Sequence, residues 1–316
     1  MSELRWHPFH NEWIITATHR QDRTFFPPED FCPLCPTKPG KPATEIPEED
    51  YEIAVFENKF PSLESPPEIP SVHGTELTPV LPSEGFCEVV CYTSDHNATL
   101  ADLPIAHIRK LVEVWKDRYE DLIHRPQVKY VYIFENKGRE IGVTLSHPHG
   151  QIYAYPFIPF VIQTRLNAEK NHFEKTGKTL AQDWLEMELR DGRRIVWQSE
   201  EWVALVPFFA RYPYETHIVP KKQVCDLSHM DENQLDSLPE AIKTVTQKLD
   251  KLFGFSMPYI KSLFQYPTEY STFIIEFTPP YRTADKLKYL AGSEAGCGVF
   301  INDTLPEETA KQLREK

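Results

Sequence analysis

The chain has 316 residues, 41% hydrophobic and 26% charged, the balance of a folded globular protein and not of a disordered one. Its 34 Lys and Arg against 47 Asp and Glu leave a net charge of −13, a field that repels nucleic acid but still lets a few local cations hold a small anionic substrate. No apolar run approaches the roughly 18 residues of a membrane span. The opening stretch MSELRWHPFHNEWIIT lacks a basic segment followed by an apolar one, so a cytoplasmic location is expected, with neither membrane nor nucleic acid as partner.

Six cysteines are too few for a disulfide framework in a chain of this length, which leaves them to core packing or metal binding. The length itself suggests two domains or one internally doubled one.

Taken in chain order, apolar runs at 53–56 and 88–92 read as strands. Between them, prolines at 61, 66, 67, 70, 79 and 82 mark an ordered but irregular excursion. Ile105, Ile108, Leu111, Val112, Trp115, Tyr119 and Leu122 then fall on one face of a helix that has Pro104 in its first turn. Strands at 128–134 and 150–155 follow, and 163–190 reads as a connecting helical region. The pattern then repeats: strands at 203–206 and 216–219, a helix carrying Leu235, Leu238, Ile242, Val245, Leu249 and Leu252 on one face, and strands at 259–263 and 272–277. The expected architecture is α+β and internally duplicated, each half an antiparallel sheet with one long helix on a face. The expected boundaries are 1–160, a connecting segment 161–192, and 193–316.

The stretch Ser146-His147-Pro148-His149-Gly150-Gln151 opens one of these strands. Two histidines at i and i+2 on a strand project to the same side about 6.6 Å apart, so one can hold a metal while the other faces a substrate. Gly150 is expected to let a phosphate approach backbone N–H groups, and Gln151 to supply an uncharged donor. Read alone, the pair equally suits two solvated histidines at a strand end. A second feature, Phe31-Cys32-Pro33-Leu34-Cys35-Pro36, is a CxxC in a Pro-rich loop able to present two thiolates to Zn²⁺. Cys87 and Cys91 do not complete the site, because four strand residues span about 13 Å and zinc–ligand bonds are only about 2.3 Å. They read as core cysteines, and His96 and His147 as the better candidates for a Cys₂His₂ set. A redox pair would want a strand-to-helix context that is missing here.

These motifs, together with Trp13-Ile14-Ile15, His19-Arg20, Arg23, the run 55–60 (VFENKF), Asp95-His96, the run 134–138 (FENKG), the run 213–216 (PYET), Thr278-Pro279-Pro280 and Lys288, span nearly the whole chain. On them the sequence resembles the galactose-1-phosphate uridylyltransferase family of the histidine-triad superfamily. The resemblance implies a duplicated histidine-triad-like fold, an HPHGQ active site and a homodimer acting on a nucleotide sugar and a hexose 1-phosphate. It implies that His149 is the nucleophile and forms a covalent nucleotidyl-histidine, and that Cys32, Cys35, His96 and His147 bind a structural zinc. Arg20, Arg23, Asn58, Asn136, Gly142, Thr144 and Gln151 match nucleotide and phosphate contacts. Lys288 and Glu294 match positions that reach the hexose from the partner subunit.

Two departures stand out. Members with a second metal, iron, use a Glu and three His, two of them in an HxH ahead of the Pro-Pro dipeptide; here those two positions are Ile274 and Glu276, and the Glu position is Arg165, so no iron is expected. Near Glu294, Ser293 replaces a sugar-contacting Tyr, and Gly296-Cys297-Gly298-Val299-Phe300 offers no clear counterpart of a sugar-binding Gln. The implied reaction is ping-pong transfer of UMP from UDP-glucose to galactose 1-phosphate, which suits an imidazole that is both nucleophile and leaving group near neutral pH. Transfer of AMP from ADP-glucose to orthophosphate, as in a phosphorylase, is the alternative; a histidine-triad hydrolase and a non-catalytic nucleotide binder are further ones.

Overall fold

The computed structural model describes residues 2–22, 28 and 31–316. Alternating residues at the start of the chain make a hairpin of β1 (Ser2–His7) and β2 (Glu12–Ala17), in register from Ser2 opposite Ala17 to His7 opposite Glu12. Asn11 takes the left-handed conformation the turn needs, φ 53°. β4 (Val80–Pro82) pairs with the other side of β1, so the far end of the Pro-rich excursion is a strand of a small three-stranded sheet that sequence patterning did not disclose. The excursion itself has little regular structure, but it is anchored: Leu63 is buried, and the Glu3 carboxylate accepts from the backbone and hydroxyl of Ser71 at 2.7 and 3.0 Å.

The body of the molecule is one nine-stranded antiparallel sheet. Its N-terminal part contains β3 (Ala54–Glu57), β5 (Phe86–Cys91), β7 (His149–Tyr155) and β6 (Tyr130–Lys137), in that spatial order. Its C-terminal part continues with β11 (Tyr259–Phe264), β12 (Ile274–Thr278), β10 (Thr216–Pro220), β9 (Trp202–Leu205) and β8 (Ile195–Gln198). The expectation of one sheet per half is corrected here. The halves join where β6 pairs with β11, from Tyr259 opposite Lys137 to Leu263 opposite Ile133. The physical reason is that each half would otherwise end on a row of unpaired backbone donors and acceptors.

Two long helices cover one face. α1 (Ile105–Ile123) and α4 (Glu232–Phe253) lie against each other and share one apolar core with the sheet. Every expected inward residue of both helices is buried except Ile105, which stays exposed in the first turn of α1. α4 begins in a capping box, Asp231 with Gln234, and stops at Gly254 in the left-handed region. The connecting region is two helices, α2 (Phe160–Thr176) and α3 (Leu180–Asp191), separated at Gly177 with φ 73° and restarted by a Thr179–Gln182 capping box. A short hairpin of β13 (Tyr281–Thr283) and β14 (Lys286–Leu287) and a final helix α5 (Pro306–Arg314) complete the chain. No helix is long and apolar enough to cross a membrane among the described residues.

Candidate active site

Strand alternation decides what the helix-free face of the N-terminal half presents. On β7, Gly150, Ile152 and Ala154 are buried, the last two in the core shared with α1, while His149, Gln151 and Tyr153 alternate to the other side. On β5, Val90 belongs to the helix-side core, whereas Cys87, Val89 and Cys91 lie opposite it in two smaller apolar clusters. The two cysteines are thus core residues on one sheet face, as the spacing predicts.

Two cavities meet at His149. One, of about 320 Å³, has apolar walls from Phe31, Leu34, Phe56 and Val89 and polar groups from Asn58 and Gln151. The other, of about 330 Å³, is bounded by Asn136, Lys137, Arg139 and the segment 143–149. Thr144 and His149 border both. A mostly apolar chamber beside a polar one suits a ligand with a flat apolar end and an anionic middle. His149 Nδ1–H donates to the His147 carbonyl at 2.7 Å, which fixes the ring and leaves the lone pair on Nε2. Gln151 Oε1 accepts from Asn58 Nδ2 and from the Tyr153 hydroxyl, both at 3.3 Å. The remaining hydrogen-bonding capacity of Gln151 is its NH₂, a donor suited to a phosphoryl oxygen.

Gly150 has a different role from the expected one. Its missing side chain points into the core and not toward a ligand: a Cβ there would lie 2.3 Å from the Tyr92 hydroxyl and 2.9 Å from the Phe134 carbonyl. The glycine is required by what lies beneath the strand.

Behind His149, Cys32, Cys35, His96 and His147 converge with their ligand atoms all within 4.8 Å of one another. Cys35 Sγ stands 3.5 Å from Nδ1 of both histidines. Ligands bonded tetrahedrally to zinc at about 2.3 Å for sulfur and 2.0–2.1 Å for nitrogen stand about 3.6 Å apart, so the spacing fits. The outer shell fits as well. His147 Nε2–H faces the Thr93 carbonyl at 2.8 Å and the Tyr51 oxygen at 2.7 Å, and His96 Nε2 faces Ser146 Oγ at 3.1 Å, leaving both Nδ1 atoms turned inward. Burial pulls His147 down to about 4, keeping it in the neutral form a metal needs. Burial, then the neighbouring Cys32, pushes the Cys35 thiol up to about 12, a shift that a bound dication reverses by taking the thiolate.

Of the other expected contacts, Asn58, Asn136 and Thr144 line the cavities. Arg20 donates through Nη1 to the Phe60 carbonyl at 2.8 Å and so braces the wall from outside. Gly142 caps the short turn Arg139–Ile141 with φ 84° and is not among the lining residues. Arg23 lies outside the described residues. Lys288 and Glu294 form a buried pair at 2.9 Å, with the Ile301 carbonyl as a second acceptor for Lys288, away from both cavities. Tyr51, which sequence reasoning missed, bridges the CxxC loop to the motif through the Leu34 carbonyl and His147. A lone Tyr in a loop carries no spacing signal; Ser146, adjacent to the motif, could have been found.

A larger cavity, about 660 Å³, lies in the C-terminal half and is lined by none of the HPHGQ residues. Arg165 and Glu276, two of the positions compared with iron ligands, form an ion pair there at 2.7 Å, with the Arg165 guanidinium 4.6 Å from the Phe264 ring centroid. Glu215, His217 and Glu276 bring ligand-type atoms together, but Arg165 and Arg211 already face Glu276 with the positive charge a metal would supply.

A family model described as galactose-1-phosphate uridyl transferase, N-terminal domain, matches residues 1–159, and its C-terminal counterpart matches 165–314. The two matches, which together take in the nine-stranded sheet and the histidine motif, define a transferase. The chain belongs to the galactose-1-phosphate uridylyltransferase family. It is 43% identical to a galactose-1-phosphate uridylyltransferase of Thermotoga maritima, covering 100% of this chain and 98% of that protein. Among solved structures it is similar to a uridylyltransferase, with TM-score 0.88 and 33% identity over 99% of this chain and 97% of the other. An Arabidopsis thaliana ADP-glucose phosphorylase with bound ADP-glucose is also similar, with TM-score 0.75 and 26% identity over 100% and 99% of the two chains.

Proposed function

We propose that the protein moves UMP from UDP-glucose to galactose 1-phosphate in two displacements at His149. In the first, Nε2 attacks the α-phosphorus, the bond to the glucose 1-phosphate oxygen breaks, and glucose 1-phosphate leaves as an anion. In the second, a phosphate oxygen of galactose 1-phosphate attacks the same phosphorus, the P–N bond breaks, and UDP-galactose departs from the restored imidazole. The observation that carries this reading is the placement of His149 where the two cavities meet, with Nδ1 tied to the His147 carbonyl. Gln151 orients the phosphoryl oxygens. It has no titratable proton, and a sugar phosphate needs none to leave.

Zinc at Cys32, Cys35, His96 and His147 takes no part in bond making; it ties the CxxC loop, the His96 loop and the motif into one frame. Residues 1–160 and 193–316, joined by 161–192, are the two repeats in this reading. A homodimer in the cytoplasm, with Lys288 and Glu294 directed to the partner's hexose, completes it. The ADP-glucose phosphorylase similarity keeps AMP transfer as the second reading. The test is incubation with UDP-glucose or ADP-glucose labelled in the α-phosphate, followed by acid- and base-stability of the protein-bound label. Label from UDP-glucose that is acid-labile, base-stable and absent from His149→Ala supports the proposal. Label from ADP-glucose alone replaces it with the second reading.

A further inference from the structure

Beneath the His149 motif, between the sheet and α1, lies a polar island for which the proposed reaction has no use. Lys261 of β11 and Glu135 of β6 are directly opposite each other on the strand pair that joins the two halves. Their charged atoms are 2.8 Å apart, with Lys261 0% and Glu135 4% exposed. The Tyr92 hydroxyl donates to Glu135 Oε2 and accepts from Lys261 Nζ, and the Tyr259 hydroxyl donates to Glu135 Oε1, each at 3.3 Å. Lys261 Nζ also lies 4.4 Å from a Trp115 ring centroid and 5.0 Å from that of Tyr92. A buried ion pair is seldom more stabilising than an apolar pair of the same volume. What it adds is direction, because each bond holds its partner at a set distance and angle.

That direction leads to the nucleophile. Tyr92 touches the motif twice: its backbone N–H donates to the Pro148 carbonyl at 3.0 Å, and its hydroxyl fills the space a Cβ on Gly150 would need. The Tyr92 carbonyl is in turn held by His107 Nε2 of α1 at 2.6 Å. Pro148 and Gly150 flank His149, so the height and tilt of the strand start follow the Tyr92 ring.

We infer that the Lys261–Glu135 pair, acting through Tyr92 under Gly150, positions His149, so that the C-terminal half sets the aim of the nucleophile in the N-terminal half. This rests on His149 being the nucleophile. Lys261, Glu135 and Tyr92 are positioning residues, working through β7 and not on the phosphorus.

The experiment uses the full-length, zinc-loaded protein and whichever of UDP-glucose and ADP-glucose labels it. Single-turnover labelling across donor concentrations gives a maximal rate and a half-saturating concentration, and melting is measured alongside. Tyr92→Phe and the paired variant Lys261→Met/Glu135→Gln, which removes both charges together, should each lower the maximal rate about tenfold or more while half-saturation shifts by less than about twofold, the pattern of a misaimed group. Lys261→Met alone should melt lower than the parent, and adding Glu135→Gln should restore melting without restoring rate. Parent-like labelling in both Tyr92→Phe and the paired variant would overturn the inference and leave the nucleophile reading intact. If the paired variant does not fold, Tyr92→Phe decides alone by the same two outcomes. A parent that takes no label from either donor removes the nucleophile itself, and the inference with it.

Discussion

Gly150→Ala separates two explanations of the same glycine. If the residue were there to admit a phosphate, the variant would fold as the parent does and lose only ligand affinity. The structure places the new methyl on the other side, 2.3 Å from the Tyr92 hydroxyl and 2.9 Å from the Phe134 carbonyl, where ordinary contact begins at 3.4 Å. The overlap with the hydroxyl is therefore about 1 Å, and the second neighbour is main chain in a paired strand that cannot rotate away. Overpacking of this kind costs about 1–3 kcal/mol, and a collision from two sides belongs at the upper end, about 2–3 kcal/mol. At about 2–4 °C per kcal/mol for a large domain, the expected fall in Tm is about 4–12 °C. Differential scanning calorimetry on zinc-loaded parent and variant reads it directly. A Tyr92→Phe background removes one of the two collisions, so the further loss caused by Gly150→Ala should be smaller there than in the parent. A single variant that melts with the parent but binds nucleotide sugar weakly would refute the reasoning and restore the phosphate explanation.

Gln151→Ala should slow nucleotidyl transfer by about 10² or more, a typical loss for an oriented phosphoryl donor, and Gln151→His should raise UMP release relative to UDP-galactose formed; both are read as product ratios per turnover, and parent-like transfer by the alanine variant removes Gln151 from the phosphate site. Metal analysis should find one zinc per chain, lost in Cys32→Ser and kept in Cys87→Ser/Cys91→Ser, with chelation lowering Tm; the reverse pattern would sink the ligand assignment. The Lys288 ammonium, followed by backbone donors, holds the Glu294 carboxyl down to about 2. Because the folded value lies below the ordinary one of about 4.3, the contribution is fully present above that pH and is lost as pH falls toward 2. Limited proteolysis with an acid-active protease should therefore open the 288–301 loop more readily at pH 2 to 3 than at pH 5 in the parent, and at both in Glu294→Gln.

The convergence of Cys32, Cys35, His96 and His147 and the two long helices were legible because their signals are local. A CxxC loop, a spacing too wide for Cys87 and Cys91, and the 3.6-residue period around Trp115 need only a few turns of chain. Pairing partners were another matter. Nothing near Lys137 or Tyr259 in sequence says that they meet, since the β6–β11 register is set by contacts more than a hundred residues apart. The same limit misplaced Gly150. Alternation says that Gly150 and His149 face opposite ways, but only the Tyr92 hydroxyl, brought in from the neighbouring strand end, shows which side needed the space. The segment 80–82 went unnoticed as a strand because three residues ending in Pro carry no period at all.

The single sheet has a consequence for how the chain can be divided. A half expressed alone, cut within α2, would display β6 or β11 as an open edge, with Glu135 or Lys261 a charge deprived of its counterion beside a strip of exposed backbone. Such a fragment has one inexpensive remedy, which is to recruit a second copy along that edge and rebuild a continuous sheet with two like charges facing each other in its interior. The internal duplication thus tolerates what symmetry forbids: with both repeats on one chain the two sides of the seam can differ, an acid on one and a base on the other, and the axis between them can carry an interaction no pair of identical subunits could form.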